Sequence, residues 1–405
     1  KTIINQQMLS DDFGACSENL YAQFLYRIMQ LQQKYNLTNC YIGLYSPTLF
    51  LTGTSWKKFR KKFLNAFSFI NRCQFCANQF SDVADSWAIS FSIWKNGITA
   101  DKENFYYDLV DDIDGEVQVI GTKNVYNIDF HTSSSDWVKE SVKKIKTSDS
   151  PQLSSAIKWK EGKGCRGSIV LGALGYYVNV ANNIYKSPTD CFLLTSTSSM
   201  GHGVSICDSN YERVCANFSA RKLIEPTWHN QKDEYLAPNE AHPDYQEFVN
   251  DSIVHSLFHS ASNQSSLRNV DYKGKQWNIY NEFFWMGKDE ITRLANDNNL
   301  TTTYNEARTS NERYVYSKLK TTTLSIEAQA VLDKANEIVR NTFPYREMFD
   351  QEHPEYQILN WDCGWYQIKA LAKGYAKTDY DEFVALFKVL ENKMRPMVYT
   401  LGFLK

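Results

Sequence analysis

The chain has 405 residues, 43% of them hydrophobic, which is enough for two or three domains with a substantial core and excludes a disordered protein. Its formal net charge of −2 excludes a global field steering it to nucleic acid, and no apolar run approaches the roughly 20 residues that span a bilayer. Nine Cys are scattered along it and only Cys73 and Cys76 stand in CxxC spacing, so a zinc finger is not expected and the thiols read as those of a reducing cytoplasm. It starts at Lys1 with no signal-peptide pattern, and the expectation is a piece of a longer cytoplasmic protein.

Charge is uneven. Residues 1–96 hold ten Lys and Arg against five Asp and Glu, a net of +5, and the acidic stretch "DKENFYYDLVDDIDGE" follows. Ser17 is the expected N-cap of a first helix in which Leu20, Phe24 and Ile28 recur at i, i+4 and i+8. "NCYIGLYSPTLFL" predicts a strand that ends near Tyr45 or Ser46, because Pro47 cannot sit mid-strand. "SWKKFRKKFLNAF" predicts a helix with Trp56, Phe59, Phe63 and Phe67 on one face. Lys57, Lys58, Lys61 and Lys62 fall elsewhere around it, as a solvated face or a phosphate-facing one. A strand over Asn71–Cys76, a turn and the strand "SWAISFSIW" come next. This order is the back end of a partial doubly wound, Rossmann-like α/β sheet, its last hairpin adding an antiparallel strand.

Beyond residue 96 the character changes. "GEVQVIGTKNVYNIDF" alternates like strands, and "GSIVLGALGYYVNVANN", "DCFLLTSTSSM" and "GVSICD" are short apolar runs between long polar loops. "PDYQEFVNDSIVHSLFHS" is helical by spacing, with Phe248, Ile253 and Leu257 on one face. The last 80 or so residues are mostly helical, and Ser325 is the N-cap of "SIEAQAVLDKANEIVRNTF". The division is residues 1–96, a mixed α+β region over 97–323, and a helical region over 324–405.

In the order "NLYAQFLYRI", "YIGLYSPTLFL", "SWKKFRKKFL", "NQFSDVADSWAISFSIW", the first 95 residues resemble the second half of the catalytic domain of adenine-N6 DNA methyltransferases of restriction–modification systems. "FSARKLIEPTWHNQKDEYLAPN" and "NQSSLRNVDYKGKQWNIYNEFFWM" resemble the C-terminal regions of such proteins. The resemblance implies a catalytic-domain tail over 1–96, a target-recognition domain over 97–323 that holds double-stranded DNA, and S-adenosylmethionine as the parent enzyme's methyl donor. The chain departs from the family in having no Asn-Pro-Pro-Tyr or Asp-Pro-Pro-Tyr loop and no glycine-rich donor turn. It is therefore expected to be inactive and donor-free alone, with no catalytic residue of its own, and to partner the missing N-terminal half of the catalytic domain.

The resemblance puts Phe80 at the head of the hairpin as one wall of a flipped-base pocket, with Asn19 and Tyr21 beside the missing loop; a core Phe and packing at a helix start are the plainer readings. From their own chemistry, Arg268, Asn263 and Gln264 suit base edges, Ser265 and Ser266 suit phosphate, and Arg221 and Lys222 add charge, against solvated surface or structural ion pairs. His202 and the pair His255 and His259 read as packed or exposed histidines, with no metal expected. Two other readings compete: a non-catalytic DNA-binding specificity module, and a carbohydrate-binding protein suggested by the 14% aromatic content alone.

Overall fold

The computed structural model describes residues 2–80, 87–140, 172–195, 202–300 and 312–405. Thr2 caps α1 (Ile3–Ser10) by accepting the Asn5 N–H at 3.0 Å. α2 (Leu20–Lys34) begins later than its sequence suggests. Ser17 is held in a tight turn over Gly14–Glu18, its hydroxyl donating to the Gly14 carbonyl at 2.7 Å, so Asn19 rather than Ser17 is the N-cap. The expected face is also wrong: Leu20 and Phe24 are 66% and 70% exposed, and Ala22, Leu25, Tyr26 and Met29 are buried. The helix carries two apolar stripes, and Gln23 selects between them by donating to the Ser17 carbonyl at 2.8 Å.

β1 (Tyr41–Ser46) stops before Pro47 as expected, and a short α3 (Leu49–Thr52) leads into α4 (Lys57–Ala66). Trp56, Phe59, Phe63 and Phe67 are all buried, as their spacing requires. β2 (Phe67–Cys76) starts four residues earlier than expected, and β3 (Ala88–Asn96) returns beside it. The acidic stretch after residue 96 is a strand, β4 (Asn104–Ile113), joined to β5 (Glu116–Tyr126) by Asp114 and Gly115. Both turn residues have positive φ, +56° and +84°, the type I′ geometry that matches strand twist.

These strands form one mixed sheet in the order β1-β3-β2-β4-β5. β3 runs antiparallel to both its neighbours, so β1 and β2 are parallel with β3 wedged between them. The expected antiparallel strand from the last hairpin is therefore present. The sheet runs on past residue 96, because β4 joins β2 in parallel. α1 to α4 share one core with Ile42, Trp94, Phe105, Tyr107 and Val125, which covers one face. On the other face Tyr45 is 60% exposed, with the rings of Phe91 and Phe75 at 4.7 and 6.4 Å. A doubly wound layer needs helices on both faces; among the described residues only one face of this sheet is covered.

The second half contains α5 (Ser134–Lys139), β6 (Gly175–Asn179), α6 (Ser187–Asp190), β7 (Cys191–Leu194), β8 (Val204–Ile206), α7 (Tyr211–Leu223) and α8 (Tyr245–Phe258). β9 (Ser262–Asn263), β10 (Leu267–Tyr272), β11 (Lys275–Ile279), α9 (Lys288–Asp297), α10 (Tyr314–Leu319) and α11 (Ile326–Thr342) follow. α12 (Arg346–Glu352), α13 (Trp365–Tyr375) and α14 (Lys377–Thr400) close the chain. A second sheet has the order β8-β6-β7-β9, and β10 and β11 form a hairpin. One continuous core runs from Trp137 to Leu404, so the mixed region and the C-terminal helices are packed together. Ser325 caps α11 as expected, accepting the Ala328 N–H at 3.2 Å.

A buried strap, residues 233–236, ties the two halves. Lys123 of β5 pairs with Asp233 at 2.5 Å, and the Tyr126 hydroxyl donates to the Glu234 carbonyl at 2.6 Å. On its other side the strap receives Ser134 N–H at the Tyr235 carbonyl (3.0 Å) and donates Leu236 N–H to Phe403 (2.9 Å). Burial pushes the Glu234 carboxyl up to about 7, against the opposing pull of Asn182, Arg221 and Arg60. Its folded pKa lies above the ordinary 4.5, so from about pH 4.5 to 7 the unfolded chain is ionised where the folded one is not. Stability should therefore fall as pH rises through that window, by about 3 kcal/mol. Glu234→Gln should flatten this dependence in urea unfolding between pH 5 and 8; an unchanged slope would contradict the assignment to Glu234.

Candidate nucleic-acid interface

Ser46 pairs with Ser90 and Cys76 with Ala88, so the carboxyl ends of β1 and β2 lie at one end of the sheet, together with the head of the β2–β3 hairpin. Ligands of α/β sheets collect at such ends. The hairpin closes with the Ala77 N–H donating to the Trp87 carbonyl at 2.7 Å. Across from it, Gln74 donates to the carbonyls of Trp228 and His229 at 3.0 and 3.3 Å, which brings the loop after α7 against the first sheet.

There an aromatic cluster forms that the sequence reading missed. Trp87 and Tyr185 meet edge to face at 6.2 Å, each about one-third exposed, and Lys232 Nζ lies 4.6 and 5.0 Å from their ring centres. Burial first, then Lys186 nearby, lowers the Lys232 pKa. Exposed rings with a cation are the parts of a base-stacking platform. The cue was the flanking of Trp87 by turn residues, but its neighbours in the chain read as strand, and Tyr185 and Lys232 lie about 100 and 145 residues away.

Of the residues expected at a base pocket, Phe80 has its side chain outside the described residues. Tyr21 stacks on Trp56 at 5.0 Å and 18°, edge-on to Phe50, and burial drives its hydroxyl far above the ordinary range. Asn19, half-buried, donates to the Cys16 carbonyl at 3.4 Å. Both fit the plainer reading of packing at a helix start.

The expected DNA contacts divide sharply. Lys57, Lys58 and Lys61 are exposed on α4. Lys58 pairs with Asp12 and Lys62 with Asp11, while Lys57 and Lys61 make no ion pair among the described residues. Lys58, Lys61 and Lys62 line an open groove of about 420 Å³ with Phe13 and Asn65. The polar run around Arg268 is no surface loop, and here the sequence reading is corrected. Gln264, Ser265 and Ser266 are buried, Asn263 is half-buried, and the run builds β9 and β10. Arg268 donates to Asp362 at 3.0 Å and to the Ile279 carbonyl at 2.9 Å. Arg221 is 1% exposed, donating to Ser187 Oγ at 3.0 Å and to Asn179. Lys222 donates to the carbonyls of Ser187 and Pro188 at 2.7 and 3.1 Å. Their donors are directed into the fold because these elements pack face to face, and a buried guanidinium must find partners there.

Cys73 and Cys76 stand three apart on β2, so their side chains point to opposite faces and do not converge on one ion. His202 is exposed. His255, His259 and Glu391 do converge.

Asp362 is fully buried between Arg268 and Arg313, the latter at 2.7 Å, and accepts the Asn281 N–H at 3.0 Å. Arg268→Ala should lower unfolding stability by about 1.5–3 kcal/mol, the range for hydrogen bonds to a charged group, because Arg313 still pairs with Asp362. It should leave the salt dependence of any DNA binding unaltered; a shallower salt slope with full stability would return Arg268 to the DNA surface. No family model, no curated protein and no solved structure matches this chain.

Proposed function

We propose that this chain is the DNA-holding part of an adenine-N6 DNA methyltransferase of a restriction–modification system, the tail of its catalytic sheet joined to a target-recognition region. The observation that carries the reading is the strand order: β1 and β2 parallel, linked through α3 and α4, with β3 folded back between them. The resemblance implies a strand, a helix, a strand and a closing hairpin that adds an antiparallel strand, and the observed order supports the reading by containing them in that sequence. Among the described residues β1 is an edge strand of the first sheet, and this edge is where the remaining half of the catalytic domain docks in this reading, since an exposed strand edge needs a cover.

Among the described residues the turns leading from β1 and β8 into helices are "PT" and "CDSN", with no glycine to let a methyl donor approach the backbone, and "GKGCRG" at 162–167 lies outside the described residues. In this reading methyl transfer belongs to a part of the enzyme outside this chain. The same observation favours, as a second reading, a specificity module that holds DNA and transfers nothing. The carbohydrate reading draws less support, because Trp56, Trp94, Trp361 and Trp365 are core residues.

Duplex DNA binding, measured by filter retention between about 50 and 200 mM salt, should weaken steeply with salt. Lys57→Gln and Lys61→Gln should each reduce the log–log slope by about 0.9, and Trp87→Ala should weaken binding without changing the slope. Binding that ignores salt, or none, would overturn the DNA reading. Added S-adenosylmethionine should leave the unfolding temperature unchanged; a clear rise would contradict the placement of the donor site elsewhere.

A further inference from the structure

His255 and His259 lie one turn apart at the end of α8, their ring centres 5.3 Å apart, and Glu391 of α14 faces them. One ring nitrogen of each His and one carboxylate oxygen of Glu391 all lie within 4.8 Å of one another. His255 is fully buried and held from two sides. Its ring stacks on Phe387 at 5.1 Å and 12°, and its Nδ1 is 2.9 Å from Ser219 Oγ on α7. A metal on Nε2 requires the ring proton on Nδ1, and Ser219 Oγ, 3.5 Å from the Ser252 carbonyl to which it can donate, is placed to accept a hydrogen bond from it. His255 Nε2 has no hydrogen-bond partner among the described residues and lies 3.6 Å from Glu391 Oε1. A buried, unpartnered ring nitrogen facing a carboxylate is a pair that one cation would satisfy.

We propose that His255, His259 and Glu391 bind a divalent transition metal, with a fourth coordination position open to the adjoining cavity. That cavity holds about 280 Å³, lined by His259 and Glu391 together with Phe258, Trp365, Lys369 and Phe387. Two imidazoles and one carboxylate suit zinc or cobalt; calcium needs six to eight oxygens, and a single carboxylate cannot supply them. Ser219 is the outer partner that sets the tautomer of His255. Lys222 lies near both rings and Lys369 near His259. Those two ammonium groups oppose a cation, so a soft nitrogen-bound metal of moderate affinity fits better than a tight structural ion.

Ligands about 2.0–2.2 Å from a metal stand closer together than these atoms do, so the site contracts by roughly 1 Å on loading. Glu391, about one-quarter exposed, and His259, at the helix C-cap, are placed to move, while His255 is not. His259 Nδ1 now accepts the Ala261 N–H at 3.0 Å. If the metal takes Nδ1 it displaces that bond; if it takes Nε2 the ring proton moves to Nδ1 and displaces it as well. The Ala261 amide therefore reports loading in either case.

The experiment is a cobalt(II) titration of the whole chain after dialysis against a chelator, read by visible absorption and by the Ala261 amide resonance. One equivalent should produce the d–d bands of a nitrogen and oxygen site and shift the Ala261 amide. The affinity should fall at least about tenfold in Glu391→Gln and in His259→Ala, and stay unchanged in the Cys73→Ser/Cys76→Ser double variant. Glu391→Gln is nearly isosteric, so loss of binding in a variant that still unfolds cooperatively is not loss of fold. No band at millimolar cobalt, a thiolate-to-cobalt charge-transfer band, or binding untouched by Glu391→Gln and His259→Ala would overturn the site.

Discussion

The first half of the molecule depends on where β3 lies. A strand entering antiparallel between β1 and β2 requires those two to stand two strand spacings apart, about 9.6 Å, with nothing else filling the gap. The link through α3 and α4 sets that separation, and Trp94 in the middle of the wedge locks it. Its ring, fully buried, meets Phe63 at 4.9 Å and Phe69 at 4.6 Å, while its indole N–H donates to Ser92 Oγ at 2.9 Å. The helices over the sheet, the shared end of β1 and β2, and the placement of Trp87 all follow from it.

The second half is organised around charge rather than a strand. Asp362 accepts from Arg313, Arg268, Ser266 and the Asn281 N–H, and gathers β10, α10 and the start of α13 around one buried carboxylate. Gly364, two residues on, lets the chain pass close to the Gln264 carbonyl; a Cβ there would sit 1.9 Å from that oxygen. Such a hub gives register to a core that apolar packing alone leaves loosely specified.

This difference explains what the sequence disclosed. α4 and the end of β1 were legible because their signals are local: a four-residue aromatic spacing, and Pro47 at a strand end. The buried face of α2 was not, because both its stripes are apolar and the choice rests on Gln23 reaching Ser17. β4 was hidden by Asp108, Asp111 and Asp112, although Asp114-Gly115 is a strong hairpin signal. The run from Ser262 to Arg268 looked like a recognition loop because its partner, Asp362, is almost 100 residues further on. Polarity in a sequence says that a group needs hydrogen bonds; it does not say whether water, a nucleic acid or the fold supplies them.

The same distinction bears on the proposal that a chain of net charge −2 holds DNA. At physiological salt a charge is felt over about 8 Å, so the total matters less than which cations are left uncompensated locally. Lys334 is surrounded by Glu337, Asp379 and Glu382, and Lys393 by Glu247, Asp251 and Glu327. Those clusters hold the C-terminal helices together and present no positive field. Lys57 and Lys61 on α4, and Lys232 over its two rings, are differently placed, with no carboxylate paired to them among the described residues. Few counterions would be released by so few contacts, so under the proposed reading the chain alone binds DNA weakly and the aromatic cluster at the end of the first sheet carries the stacking part of recognition.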